Sequence, residues 1–188
     1  MTSYLNKINE FINSLDTQSV QALNDISENR TFKKGRLLLR QDQICRQSYL
    51  IKSGIARKYY VNEGKEITTE LLFEDDIAIS FISYTQQKPS REVIQALSDV
   101  TVSVTDYDKF QKAKTAFPKL IALDLMMTEY YTMWLEERLF QFHTLSATAR
   151  YALLLREQPH YIQNVPLTII ASYIGISLET LSRIRAKI

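Results

Sequence analysis

The 188-residue chain contains one cysteine, two histidines, four glycines and four prolines. A single thiol, Cys45, closes no internal disulfide and cannot hold an iron–sulfur cluster. His143 and His160, with that cysteine, are too few for a structural zinc site, and no metal or other cofactor is expected. The glycines stand at 35, 54, 64 and 175, so no G-x-G-x-x-G phosphate turn exists. No nucleophile–base pairing is visible either, and an enzyme is not expected. With so few loop-formers the chain is neither disordered nor collagen-like. No apolar run approaches the roughly 18–20 residues that span a bilayer, and Met1–Glu10 lacks the basic-then-apolar order of a secretion signal. A cytoplasmic protein without a membrane partner is expected.

What is present is an ordinary globular composition, 45% hydrophobic and 23% charged, with a net charge of +2. The charge is unevenly placed. Residues 1–145 carry 18 basic and 19 acidic side chains, whereas residues 146–188 carry five and two. A basic C-terminal segment on a near-neutral body points to a polyanionic partner.

Periodicity divides the chain three ways. Leu5, Ile8, Ile12 and Leu15 recur at helical spacing, and Thr17 is expected to cap a second short helix. From Arg30 to about Thr105 come short β-rich runs at 36–40, 48–52, 55–61, 66–73, 91–96 and 100–104. The turn pairs Lys34-Gly35, Ser53-Gly54 and Glu63-Gly64 separate several of them, which predicts an antiparallel roll rather than a parallel sheet. Residues 75–84 break this rhythm and read as a short inserted helix. After Pro118 a helix over 119–143 is expected. It is apolar on more than one face, which suggests a partner helix from a second copy, with Leu123, Met127, Tyr130 and Trp134 as the seam. Tyr130, Tyr131 and Trp134 would alternatively line an effector pocket against the roll.

The last 22 residues carry the sharpest pattern. Counted from Leu167, Ala171 falls at position five and Gly175 at position nine. Ile170, Ile174, Ile176, Leu181 and Ile184 fill positions four, eight, ten, fifteen and eighteen. A small residue at a helix crossing, a glycine in the turn and apolar residues at these spacings predict a helix-turn-helix, with Ser177 capping its second helix. Glu179, Ser182, Arg183 and Lys187 fall outside the core pattern on that helix. Such a face suits the major groove, where Arg pairs with guanine and a carboxylate accepts from cytosine N4. An αα-hairpin docking another protein uses similar residues, so a sensor or interaction module that binds no DNA is the alternative.

The run Ile170–Ile184, with Glu179-Thr180 and Ser182-Arg183 at its centre, resembles the signature of Crp/Fnr-type transcription regulators, in the version common in Bacteroidetes-type bacteria. The resemblance covers the whole chain. It implies an α+β fold: a cyclic-nucleotide-binding-like roll with flanking helices in 1–118, a long dimerisation helix in 119–145, and an all-α helix-turn-helix in 146–188, winged-helix-like with the wing missing or short. It implies a cytoplasmic homodimer on double-stranded DNA, with RNA polymerase and an unidentified small-molecule effector as further partners. Cyclic-AMP binders of this type present Gly-Glu to the ribose and Arg-Ser to the cyclic phosphate. Those positions here are Ile79-Ser80 and Ser90-Arg91, the effector pocket that the resemblance implies, in which standard cyclic AMP binding is not expected. By the same resemblance Glu179, Ser182 and Arg183, with Thr180 beside them, read a TTGA-like half-site, while Arg185, Lys187 and Thr168 hold phosphates. Cys45, beside Arg46, reads as a loop cysteine, and Asp75-Asp76 as a solvated turn.

Overall fold

The computed structural model describes residues 2–187. Two helices open the chain, α1 (Thr2–Asn13) and α2 (Thr17–Asp25). The cap of α2 is Asp16, one residue before the expected Thr17, because its carboxylate accepts from Ser19 N at 2.8 Å.

Eight strands follow: β1 (Ser27–Phe32), β2 (Leu37–Leu39), β3 (Gln47–Ser53), β4 (Ala56–Asn62), β5 (Lys65–Leu72), β6 (Ile77–Ala78), β7 (Glu92–Ala96) and β8 (Val100–Asp106). They pair antiparallel in two four-stranded sheets, ordered β1-β8-β3-β6 and β2-β7-β4-β5. Between them lies one apolar core. In β8, buried Val100, Val102 and Val104 alternate with half-exposed Thr101, Ser103 and Thr105, the period of two that a strand with one wet face requires. The β4–β5 hairpin turns through Glu63 and Gly64, both at positive φ (50° and 75°), the backbone of a tight primed turn. β1 had no sequence signal because four of its six residues are exposed and polar. The inserted helix expected over 75–84 is instead the short strand β6, paired with Tyr49 and Leu50, followed by α3 (Phe81–Gln86).

The C-terminal third is helical: α4 (Tyr107–Ala116), α5 (Pro118–Thr144), α6 (Ala147–Glu157), α7 (Pro159–Asn164), α8 (Leu167–Tyr173) and α9 (Leu178–Arg185). Pro118 opens α5 at its first position, as the sequence requires. The short α7 was not anticipated. A second core joins α6–α9, with Tyr151, Leu154, Ile170, Ala171, Ile174, Leu181 and Ile184 buried, and it includes Leu71 of β5. There α8 covers the free edge of the second sheet. Ser172 Oγ accepts from Thr68 N (2.9 Å) and donates to Glu66 O (3.0 Å), taking the place of a neighbouring strand. Among the described residues no single helix is long and apolar enough to cross a membrane.

Candidate functional site

The axes of α8 and α9 are bent by 100° from one another, inside the range of about 90–120° that a helix-turn-helix adopts. The four linking residues, Ile174–Ser177, turn on Gly175 at φ 71°. A Cβ there would require the left-handed backbone and would sit 2.7 Å from Phe142 Cε1. Ser177 caps α9 by accepting from Thr180 N at 3.2 Å. Ile170, Ala171, Ile174, Leu181 and Ile184 are buried at their expected positions, and Ile176 packs against them. Glu179, Ser182, Arg183, Arg185 and Lys187 are exposed, Thr180 is half-buried, and Thr168 is exposed on α8. Arg183 Nη2 donates to Thr180 Oγ1 at 3.1 Å, which steadies the guanidinium on the outer face. The backbone N–H of Glu179 and the Ser177 hydroxyl hold the Glu179 carboxyl below its usual value, so it is ionised at neutral pH.

Along α5 the structure separates two rows. Leu123, Met127, Tyr130 and Trp134, the row read from the sequence, are half-buried on their own chain, with Trp134 stacked on Tyr131 at 5.8 Å. The large apolar residues exposed on α5 are Ile121, Leu125, Leu135, Leu139, Phe140 and Phe142. All but Phe140, with Thr128 and Thr132 between them, repeat at alternating four- and three-residue steps, the spacing of a heptad seam. The two rows are offset by two residues, or about 200° around the helix.

Inside the roll, three of the four residues expected at the effector pocket, Ile79, Ser80 and Ser90, are tied into one network. Ser90 Oγ donates to Ser80 Oγ (2.8 Å), and Ser80 Oγ to Glu92 Oε2 (2.7 Å). Ile79 offers its carbonyl to Lys58 Nζ at 3.2 Å. Arg91 does not join them; its side chain is exposed. At the centre is Lys58, 2% exposed, paired with Glu70 at 2.5 Å and near Glu92 at 3.6 Å. Tyr131 of α5 completes the cluster: its hydroxyl donates to Glu70 Oε1 (2.7 Å) and lies 3.1 Å from Lys58 Nζ. Burial pulls the Lys58 pKa down, but Glu70, Glu92 and Tyr131 outweigh it, and the ammonium titrates above its usual value. Cys45 is in a loop, as expected, but its thiol is buried, donates to Gln47 O, and is pushed up in pKa by that burial. It is therefore a poor redox sensor.

Residues 29–115 match the family model of the cyclic nucleotide-binding domain. The fold as a whole is similar to FixK2 from Bradyrhizobium japonicum, with a TM-score of 0.74 at 18% identity over 86% of this chain and 84% of that one. It is also similar to a CooA mutant from Carboxydothermus hydrogenoformans (TM-score 0.69, 23% identity, 95% and 82% covered). A protein described as a transcriptional regulator of the Crp/Fnr family from Eubacterium rectale matches at TM-score 0.68 and 23% identity, over 93% and 83%. These likenesses are of fold. No curated protein sequence matches the chain.

Where the roll meets the helices, Asp76 accepts from Phe73 N at 2.8 Å. Burial, opposed by that N–H and reinforced by Glu70 and Asp75, raises its carboxyl to about 6. Its charge is felt by Tyr130 of α5 and Tyr161 of α7. The folded pKa lies above the unfolded one, so the contribution to stability is intact below about pH 4 and is lost as pH rises through about 6. Asp76→Asn keeps the acceptor for Phe73. It should raise unfolding free energy by about 1–3 kcal/mol at about pH 8 and by nothing near pH 4, read from urea titrations at both pH values. A gain independent of pH contradicts this assignment.

Sequence reasoning missed Lys58, Glu70 and Glu92. Lys58 and Glu70 are cross-strand partners, but a bulge between Lys58 and Tyr59 shifts the register, so counting back from the hairpin turn does not pair them. The remaining signal was a charged pair, Arg57-Lys58, inside an otherwise apolar strand.

Proposed function

We propose that the chain is a homodimeric, sequence-specific DNA-binding transcription regulator of Crp/Fnr type, in which α9 enters the major groove. The observation that carries this reading is the 100° bend between α8 and α9, with Glu179, Ser182 and Arg183 exposed on the outer face. Arg183 reads guanine and Glu179 the opposing cytosine; Arg185, Lys187 and Thr168 hold phosphates and set register. The three parts are the roll in 1–118, the helix 119–145 and the reader 146–188, and RNA polymerase is a partner of the bound dimer. Two copies meet along the seam Ile121–Phe142 on α5, placing their reading helices on half-sites about 34 Å apart. An effector acts only through different affinities for two arrangements of those helices.

Cyclic AMP is not that effector in the standard mode. At the positions the resemblance gives to the cyclic phosphate, the neighbouring cation Lys58 is already paired with Glu70 and near Glu92, and Arg91 points away because its side chain is exposed.

Selection of bound oligonucleotides from a random pool tests the reading, with a paired TTGA-like site as the expected outcome. On that site affinity should fall steeply between about 50 and 200 mM salt. Arg183→Ala should remove about 1–3 kcal/mol of preference at the guanine. A pool that enriches nothing, with salt-insensitive capture of a protein partner, favours the interaction-module alternative.

A further inference from the structure

Between the β4–β5 hairpin, α5 and the α8–α9 turn lies a cleft of about 390 Å3, within the size range of small-molecule sites. Tyr60, Tyr131, Trp134 and Phe142 contribute aromatic wall, and Glu70, Glu92 and Arg138 are its charged residues. The two carboxylates are already held by Lys58, Tyr131 and Ser80. Arg138 is not matched in this way.

The Arg138 guanidinium is half-buried against the rings of Tyr173 (4.1 Å) and Phe142 (4.8 Å). Among the described residues it makes one hydrogen bond, Nη2 to Tyr173 O at 2.8 Å, and no ion pair. Five N–H donors on a rigid fork leave most of its capacity unspent. A second cation, Arg150, lies against the same Phe142 ring at 5.1 Å and spends its donors on the carbonyls of Ile174 and Leu145. Burial and the nearby Arg150 charge both lower the Arg138 pKa. Its remaining donors reach the open side of the cleft, and a planar fork is best matched by a planar, bidentate carboxylate. Aromatic walls favour a flat, apolar body. Glu70 and Glu92 in the lining are partly offset by Lys58, Tyr131 and Ser80, so they oppose a singly charged carboxylate less than a doubly charged phosphate.

We propose that this cleft binds a small aromatic carboxylate, with the carboxylate on Arg138 and the ring against the aromatic wall. The occupant would touch the roll, α5 and the helix-turn-helix at once, which is where an effector of the proposed regulator would have most leverage. The binding itself does not depend on DNA reading.

Trp134 is the chain's single tryptophan and lines the cleft, so its fluorescence reports occupancy directly. The 188-residue chain is titrated with phenylacetate, 4-hydroxyphenylacetate, the uncharged analogue phenylacetamide, and inorganic phosphate. Phenylacetate or its hydroxylated analogue should give a saturable change, with phenylacetamide at least about tenfold weaker and phosphate silent. Arg138→Gln should weaken the acid about tenfold and leave the amide unchanged. If circular dichroism shows that Arg138→Gln does not fold, Tyr60→Ala, which leaves the Arg138–Tyr173 bond in place, should weaken both ring compounds. No saturable change with either acid, equal binding of acid and amide, or phosphate binding as tightly as phenylacetate overturns the proposal. No DNA is present in the assay, so its failure and that of the DNA-reading proposal are separately visible.

Discussion

Replacing Lys58 by methionine should cost the protein about 3–5 kcal/mol of folding stability. The side chain is nearly volume-matched, so the loss is electrostatic: Glu70, 6% exposed, would stay in the roll without its cation and keep only the Tyr131 hydroxyl. A buried ion pair removed as a pair behaves differently, because both desolvation costs vanish together. Lys58→Met with Glu70→Leu should therefore recover most of the loss, and a double-mutant cycle in urea isolates the coupling. Tyr131 makes the cluster more than a feature of the roll, since its phenol ties α5 to the sheet. The single variant should accordingly loosen α5, seen as faster amide exchange around Tyr131. A Lys58→Met protein as stable as wild type would show that the cluster contributes nothing.

Leu139→Glu should split the proposed dimer. Leu139 is 59% exposed on its own chain and Leu125 56%, so neither contributes much to the fold of one copy. In a two-fold symmetric pair each substitution is made twice. Losing the burial of two leucines at about 1.5–3 kcal/mol each weakens association by about 3–6 kcal/mol, or roughly 100- to 10,000-fold in dissociation constant. Sedimentation equilibrium should show monomer, with the melting temperature of the isolated chain unchanged. Met127→Glu is the complementary variant, because Met127 is half-buried: it should destabilise the folded chain and leave association intact. If Met127→Glu separates the copies and Leu139→Glu does not, the seam is the row read from the sequence.

The α8–α9 pair was legible because its constraints are local. Ala171, Gly175 and Ser177 are fixed by a crossing, a left-handed turn and a cap, each written within a few residues. The roll was legible from glycine turns and alternation, except β1, whose polar sequence pairs with β8 through backbone bonds that no side-chain pattern announces. The face of α5 was less accessible. Both of its rows are apolar, and which one the roll covers depends on Tyr131 reaching Glu70 from 61 positions away in the chain. The charged interior was hidden for a related reason: a lysine in a strand reads as solvent-facing until its cross-strand partner is known.

Ser172 has a consequence for how freely the C-terminal helices, the proposed DNA reader, can swing. Its hydroxyl is the substitute neighbour of β5 at Thr68 and Glu66, so lifting α8 off the roll would uncover a raw ledge of main-chain donors and acceptors. Any large excursion of the reader thus carries a risk of adhesion between molecules, and selection would favour small pivots about this contact over complete detachment.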